Sequence, residues 1–130
     1  MKYKILIVMA KFYEDLSKNL IFGAKEKLKG KVNIKIIEVP GSFEIPVVIS
    51  KNIKKYDGFV ALGSIIKGET PHFDFISQTI TDAIMKLAVN SKKPIGNGVI
   101  TTLNKKQAEF RSLTKGQETA AAVLSVLDNF

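Results

Sequence analysis

The residue types best suited to chemistry cluster in one short stretch, residues 63–74, which reads Gly-Ser-Ile-Ile-Lys-Gly-Glu-Thr-Pro-His-Phe-Asp. It holds His72, the only histidine in the chain. An apolar run typical of a buried strand precedes it, and a segment with helical periodicity, residues 75–89, follows it. This order predicts a ligand site, because open α/β sheets bind ligands in the loops where their strands end.

The start of the predicted helix favours an anion. Thr70 is suited to cap it, and Pro71 fits its first turn, where a missing N–H costs no hydrogen bond. The first backbone N–H groups then form an anion site with His72 at its mouth. A helix start disfavours positive charge, so we expect the imidazole to be a neutral proton acceptor. An ordinary surface histidine is the alternative, and Asp74 is interpreted as a helix-start charge rather than a partner of His72.

Two further side chains stand out by type. Arg111 is the only arginine among 20 basic residues. Its planar guanidinium can donate two parallel hydrogen bonds to a phosphate, which the ammonium of a lysine cannot do. Phe12 is an aromatic residue in the loop that follows the first predicted strand, at the sheet edge where such folds bind ligands. The alternatives are an exposed helix residue for Arg111 and a core side chain beneath the loop for Phe12.

Length and composition narrow the class of protein. The 130 residues, with 45% hydrophobic and 25% charged content, predict one globular domain over 1–130. The chain has no cysteine, and one histidine with scattered carboxylates predicts no metal site. Apolar runs are too short to span a bilayer. The run at residues 5–10 lacks the cleavage site of a signal peptide, so we expect a cytoplasmic protein.

The formal net charge of +8 would suit nucleic acid, an anionic membrane or a phosphorylated small molecule. The lysines are spread along the chain, and no aromatic residues interleave with the densest group, at positions 25, 27, 29 and 31. We therefore interpret the charge as a solvated surface and expect neither a nucleic-acid nor a membrane partner. A basic nucleic-acid-binding domain remains an alternative, although no recognised reading motif is present.

The periodicity predicts alternating strands and helices. Strands are expected at residues 3–10, 32–39, 59–65 and 94–100, and helices at 16–28, 45–53, 75–89, 104–110 and 116–127. The two glycines of the fourth strand predict a close approach by a ligand or by another backbone. The alternation indicates an α/β fold, a small three-layer αβα sandwich with a four-stranded parallel sheet.

Two blocks carry a resemblance that covers nearly the whole chain, residues 5–127. Residues 39–46 read V-P-G-S-F-E-I-P, and residues 63–74 read G-S-I-I-K-G-E-T-P-H-F-D. They resemble the lumazine synthase family, whose patterns are V-P-G-[AS]-[FW]-E-[IL]-P and G-x-[VI]-[IV]-[RK]-G-x-T-x-H-[FY]-[DE]. The resemblance implies a flavodoxin-like fold and, in riboflavin biosynthesis, condensation of 5-amino-6-(D-ribitylamino)uracil with 3,4-dihydroxy-2-butanone 4-phosphate.

The resemblance also implies a role for individual residues. His72 is the implied proton-transfer residue, and no cofactor or metal is implied. The implied contacts to the pyrimidine and its ribityl chain are Phe12, Ser42, Phe43, Glu44, Ser64, Ile65, Ile66 and Asn97. The implied contacts to the phosphorylated ketone are Glu69, Thr70, Arg111 and Lys115.

The chain departs from the family pattern at several positions. Tyr13 follows Phe12 where the family usually has asparagine, and Lys67 replaces a usual arginine. Asn97 stands in a segment that is apolar and aromatic in many relatives, which removes a wall from the implied pyrimidine pocket. The segment between Arg111 and Lys115 is shorter than in many relatives.

The family implies an assembly as well as a reaction. Its members form pentamers with active sites at subunit contacts, and some form sixty-subunit shells. Only residues 1–4 precede the first apolar run here, so a pentamer or a decamer is expected rather than a shell. The resemblance also implies a functional association with riboflavin synthase. A non-catalytic flavodoxin-like module that binds a flavin or pteridine is the alternative function.

Overall fold

The computed structural model describes residues 2–69 and 71–130. The strands are β1 Lys4–Ala10, β2 Asn33–Val39, β3 Gly58–Ile66 and β4 Ile95–Thr102. The helices are α1 Glu14–Leu28, α2 Ile45–Lys51, α3 Phe73–Ser91 and α4 Lys105–Asn129. Two 3₁₀ turns, Ser42–Glu44 and Lys67–Glu69, follow β2 and β3.

The four strands form one parallel sheet in the order β2-β1-β3-β4. The helices α1 and α4 pack on one face of the sheet, and α2 and α3 pack on the other. This arrangement confirms the predicted α/β sandwich with a parallel sheet. The chain leaves β1 and β3 towards opposite edges, so their carboxyl ends open a crevice where such folds bind ligands.

The central strands are buried on both faces. The side chains Ile5, Leu6, Ile7 and Val8 of β1 are fully buried, alternating between the two cores. Each such side chain stabilises the fold by roughly 1.5–3 kcal/mol relative to exposure. Burial on both faces explains the continuous apolar runs of β1 and β3 in place of an apolar–polar alternation.

The carboxyl-terminal helix differs from the prediction of two helices, at 104–110 and 116–127. It is a single helix, α4 Lys105–Asn129, which Asn104 caps by accepting a hydrogen bond from Gln107 N–H. Gly116 lies inside it, where a glycine usually weakens a helix. A side chain at Gly116 would run into the backbone of α1, with the carbonyl oxygen of Leu20 closest. The glycine therefore permits α1 and α4 to touch and does not mark a break.

Replacing Gly116 by alanine is expected to lower the free energy of unfolding by about 2 kcal/mol. The clash with the α1 backbone costs about 3 kcal/mol, which exceeds the gain of roughly 1 kcal/mol in helix propensity. Denaturant unfolding of both proteins measures the difference. Ala122→Gly, at an exposed site of the same helix, isolates the propensity term. A Gly116→Ala protein as stable as the parent would show that the helices separate at little cost.

The start of α3 also differs from the prediction. The helix begins at Phe73 with His72 as its N-cap residue, so His72 is not in the first turn. Pro71 lies in the turn before the helix rather than inside it. The predicted cap, Thr70, lies outside the described residues. The helix therefore begins two residues after Pro71, which the sequence pattern placed in its first turn, and the anion site at this helix start stays a prediction.

The glycines of β4 are explained by packing of the backbone. A Cβ atom at Gly96 would lie 2.5 Å from Thr119 Cγ2 and 2.9 Å from the Thr119 carbonyl oxygen, both in α4. At Gly98 it would lie 2.8 Å from the Ala61 carbonyl oxygen and 2.9 Å from Thr119 Oγ1. Of the two predicted causes, close approach of another backbone is the one observed, and it brings α4 against the sheet.

Candidate active site

A cleft of about 260 Å³ opens at the carboxyl ends of β1 and β3. Its walls come from the segment after β1, the 3₁₀ turn after β2, the end of β3 and the turn that follows it. The predicted site residues that line it are Phe12, Ser42, Phe43, Ser64, Ile65, Ile66 and Glu69. Tyr13, Gly41 and Ile76 complete the lining. The two sequence blocks, separated along the chain, therefore meet in one cavity at the predicted place.

Two serine hydroxyls in this cleft have unsatisfied hydrogen-bonding capacity. Ser42 is only 7% exposed, and its Oγ has no hydrogen-bond partner among the described residues. Ser64 Oγ is likewise buried and unpartnered there. Gly63 makes room for this arrangement, because a Cβ at that position would lie 2.5 Å from Ser42 Oγ. Buried polar groups without partners are costly, so these hydroxyls suit a polar ligand that enters the cleft.

Two aromatic rings stand exposed at the cleft. Phe12 is 72% exposed and Phe43 is 59% exposed. The alternative placement of Phe12 in the core is therefore wrong. An exposed ring beside buried hydroxyls offers a stacking surface and directional hydrogen bonds together, a combination suited to a planar, polar heterocycle.

Tyr13 is a cleft residue to which the sequence assigned no role. Its hydroxyl donates a hydrogen bond to Glu69 Oε2 over 2.7 Å, which joins the segment after β1 to the turn after β3. Burial first, and then the hydrogen bond to the carboxylate, raise the pKa of Tyr13 to about 12. The hydroxyl therefore stays protonated and remains a donor at neutral pH. The signal that would have found it is an aromatic residue in place of the family's asparagine.

His72 and Asp74 line a different depression, of about 470 Å³. Lys67, Pro71, Phe73 and Phe75 form the rest of its lining. His72 is exposed, and its carbonyl oxygen accepts the Ile76 N–H at 2.9 Å. Glu69 and Ile76, on either side of His72 in the sequence, both line the Phe12 cleft. The histidine therefore lies in a segment that borders this cleft, although it is not part of the cleft wall.

Arg111 lies in a third depression, of about 690 Å³, whose other lining residues are Asn104, Lys106, Gln107 and Phe110. Its Nη1 donates to the Thr101 carbonyl oxygen over 3.3 Å, which directs the guanidinium to the end of β4. Among the described residues, this groove and the Phe12 cleft share no lining residue. Lys115, on the same helix, is half-buried and lines neither. One chain therefore does not bring the predicted phosphate cations to the Phe12 cleft.

Two other predicted contacts also lie apart from the cleft. Asn97 belongs to the edge strand β4, where its Oδ1 accepts the Val99 N–H over 3.0 Å. Glu44 is half-buried at the start of α2 and makes no side-chain cap there. Neither residue lines the Phe12 cleft. Their assignment to the pyrimidine and ribityl chain stays a prediction.

Neither a metal-ion cluster nor a membrane-spanning helix occurs in the part of the chain that the structure describes. No group of three or more histidine and acidic residues within 2–69 and 71–130 is placed to hold a metal ion. In the same part of the chain, no helix is both long and apolar enough to cross a membrane.

Comparison with known proteins identifies the family. A family model described as 6,7-dimethyl-8-ribityllumazine synthase matches residues 2–130. The chain is 41% identical to a protein of that name from Agrobacterium fabrum, covering 98% of this chain and 94% of the relative. It is 41% identical to one from Leuconostoc mesenteroides, with coverage of 96% and 85%. It is 42% identical to one from Bartonella bacilliformis, with coverage of 95% and 87%. These matches confirm the resemblance: the chain belongs to the 6,7-dimethyl-8-ribityllumazine synthase family.

Proposed function

We propose that this chain is a transferase that condenses 5-amino-6-(D-ribitylamino)uracil with 3,4-dihydroxy-2-butanone 4-phosphate to form 6,7-dimethyl-8-ribityllumazine. One observation carries the proposal. The two family blocks meet in a single cleft that offers an exposed ring, Phe12, and the hydroxyls of Ser42 and Ser64, which have no partner within the described part of the chain. A planar pyrimidine with a polyhydroxyl side chain matches both features, because its ring stacks on Phe12 and its polar groups pair with the hydroxyls.

The chemistry needs orientation more than it needs a strong catalyst. The primary amine of the pyrimidine attacks the ketone carbonyl and forms an imine, with loss of water. Phosphate is then eliminated, the resulting enol becomes a ketone, and the second amine attacks that ketone and closes the ring with loss of a second water. Both substrates are reactive, so holding them together in the right geometry supplies much of the rate. His72, in the segment that borders the cleft, moves protons between these steps.

The phosphate of the ketone is assigned to the backbone N–H groups near the start of α3 and to Arg111. A helix start offers donors and a favourable dipole, and a guanidinium grips two phosphate oxygens at once. Glu69 ends the turn that precedes this helix, and Thr70 follows it in the sequence. Of the proposed phosphate contacts, Lys115 has the least structural support, because it lines neither the cleft nor the Arg111 groove.

A complete site requires more than one copy of the chain. The Arg111 groove and the Phe12 cleft share no described lining residue, and Phe110 beside Arg111 is 76% exposed. Exposed aromatic rings at the edge of a groove are typical of contact surfaces. We assign Arg111, Lys115 and Asn97 to the cleft of a neighbouring subunit in a closed ring, a pentamer or a pair of pentamers.

The remaining assignments follow from the reaction. The substrates carry the reactive groups, so the chain is expected to need no cofactor, and the cytoplasm stays the predicted compartment. Riboflavin synthase is the predicted functional partner, since the family's product is an intermediate of riboflavin biosynthesis. A module that only binds a flavin or pteridine would bind lumazine without making it, and turnover separates the two functions.

Incubation of the purified protein with both substrates, followed by lumazine fluorescence, tests the function. Product is expected to form in proportion to protein concentration and without added metal. A chelator is expected to leave the rate unchanged, because none of the proposed roles requires a metal ion. Binding of lumazine without any product at high protein concentration would instead support the non-catalytic module.

A further inference from the structure

Tyr13 occupies a position that its side chain does not suit by local rules. It is the N-cap residue of α1, where serine, threonine, asparagine or aspartate is preferred, and it makes no side-chain cap. The family pattern has asparagine there, which is among the best caps. Tyr13 lines the cleft but does not cap the helix with its side chain, so it is a candidate for a role in the cleft itself.

The contacts of Tyr13 extend in three directions. Its ring lies edge-on to Phe12, with centroids 4.8 Å apart and planes at 83°. Its hydroxyl donates to Glu69 over 2.7 Å. Its inner part packs on a small buried cluster of Leu16, Ile66 and Ala108, which draws on α1, β3 and α4. The side chain thus ties the cleft wall to the elements that support it.

A basic residue holds the same ring from the solvent side. Lys105 Nζ lies 5.5 Å from the centroid of the Tyr13 ring and 3.6 Å from Asp15 Oδ2. An ammonium over an aromatic face is attracted to it, and the nearby Asp15 carboxylate adds a weak attraction for the same ammonium. The ring is therefore restrained on several sides, and its hydroxyl reaches Glu69 from a defined position.

We propose that Tyr13 is a positioning residue for the condensation, whose ring orients Phe12 and whose hydroxyl anchors the Lys67–Glu69 turn. The proposal rests on the function proposed above. The turn leads to the backbone N–H groups assigned to the phosphate, so fixing Glu69 presets their direction. The ring of Tyr13 thereby supports binding of the pyrimidine, and its hydroxyl supports binding of the phosphorylated ketone.

Steady-state kinetics of two variants separates these parts. Tyr13→Phe removes only the hydroxyl and is expected to raise the Michaelis constant for the phosphorylated ketone about fivefold, with that for the pyrimidine within about twofold. The effect is moderate because a hydrogen bond to a charged acceptor weakens where water reaches it. Tyr13→Ala also removes the ring, so the Michaelis constant for the pyrimidine is expected to rise as well. Equal effects of Tyr13→Phe on both substrates, or none, would overturn the proposal.

Two comparisons show whether the change in the Michaelis constant comes from loss of the Tyr13–Glu69 hydrogen bond. Glu69→Ala is expected to reproduce Tyr13→Phe, and the double variant is expected to be no worse than the more affected single variant. Tyr3→Phe is the matched control, because it removes a hydroxyl whose hydrogen bond goes to the Leu127 carbonyl oxygen, away from the cleft. Its Michaelis constants are expected to match those of the parent. Additive losses in the double variant would show that Tyr13 and Glu69 act independently.

A measurement without substrates distinguishes failure of this proposal from failure of the proposed function. Amide hydrogen exchange in the Lys67–Glu69 turn is expected to be about tenfold faster in Tyr13→Phe and unchanged in Tyr3→Phe, since the anchor limits local opening. A parent protein that makes no lumazine but shows this difference would contradict the function alone. Unchanged exchange in Tyr13→Phe would contradict the anchoring whatever the activity.

Discussion

Replacing His72 by alanine is expected to lower kcat about a hundredfold while both Michaelis constants stay within about twofold of the parent. General acid–base groups typically contribute about 10²–10⁴-fold, and the reactive substrates place this case at the lower end. His72 stands outside the cleft wall, so its loss should not disturb the surfaces that bind the pyrimidine. Steady-state turnover followed by lumazine fluorescence measures both quantities.

Asp74 provides the control for the His72 experiment. It lines the same depression and carries a charge at the start of α3, which we interpret as helix stabilisation. Asp74→Asn is therefore expected to leave kcat within about twofold. An unchanged kcat in His72→Ala would remove the histidine from the mechanism. A hundredfold loss in both variants would mean that the depression as a whole, rather than the imidazole, is needed.

The sheet was predictable because strands buried on both faces leave continuous apolar runs, as in β1 and β3. The glycine signals were harder to interpret. The prediction divided α4 into helices at 104–110 and 116–127, and only the position of the α1 backbone at Leu20 shows why one helix continues through Gly116. Gly96 and Gly98 were correctly associated with close approach, but the sequence does not say that α4 is what approaches. A glycine in the sequence indicates that a side chain would not fit at that position, but it does not identify the element that packs there.

The cleft was predictable to the extent that its residues lie at or directly after the carboxyl ends of strands. The carboxyl ends of β1, β2 and β3 must meet at one edge of a parallel sheet, so Phe12, Ser42 and Ser64 were expected to converge. The Tyr13–Glu69 hydrogen bond spans 56 residues and depends on a tyrosine outside the family pattern, so local rules did not predict it. Arg111 and Asn97 were assigned to a shared site, yet within one chain they lie apart from the cleft.

This separation leads to a prediction about mixed assemblies. Phe12→Ala and Arg111→Ala proteins are each expected to be nearly inactive, because one lacks the stacking ring and the other lacks the phosphate fork. If each site takes Phe12 from one subunit and Arg111 from the next, rings that contain both variants regain intact sites. Dissociating the two proteins, mixing them in equal amounts and reassembling them should therefore restore activity.

The expected recovery follows from the geometry of a closed ring. In a random equal mixture, a subunit with Phe12 is followed by one with Arg111 at about a quarter of the contacts, so activity should approach about a quarter of the parent value. Phe12→Ala mixed with the Phe12→Ala/Arg111→Ala double variant is the control, and it should recover nothing because no ring contains Phe12. Native mass spectrometry verifies that the rings are mixed. Verified mixed rings without recovered activity would mean that both residues act within one chain, which would require the Arg111 groove and the Phe12 cleft to be brought together by a movement of α4.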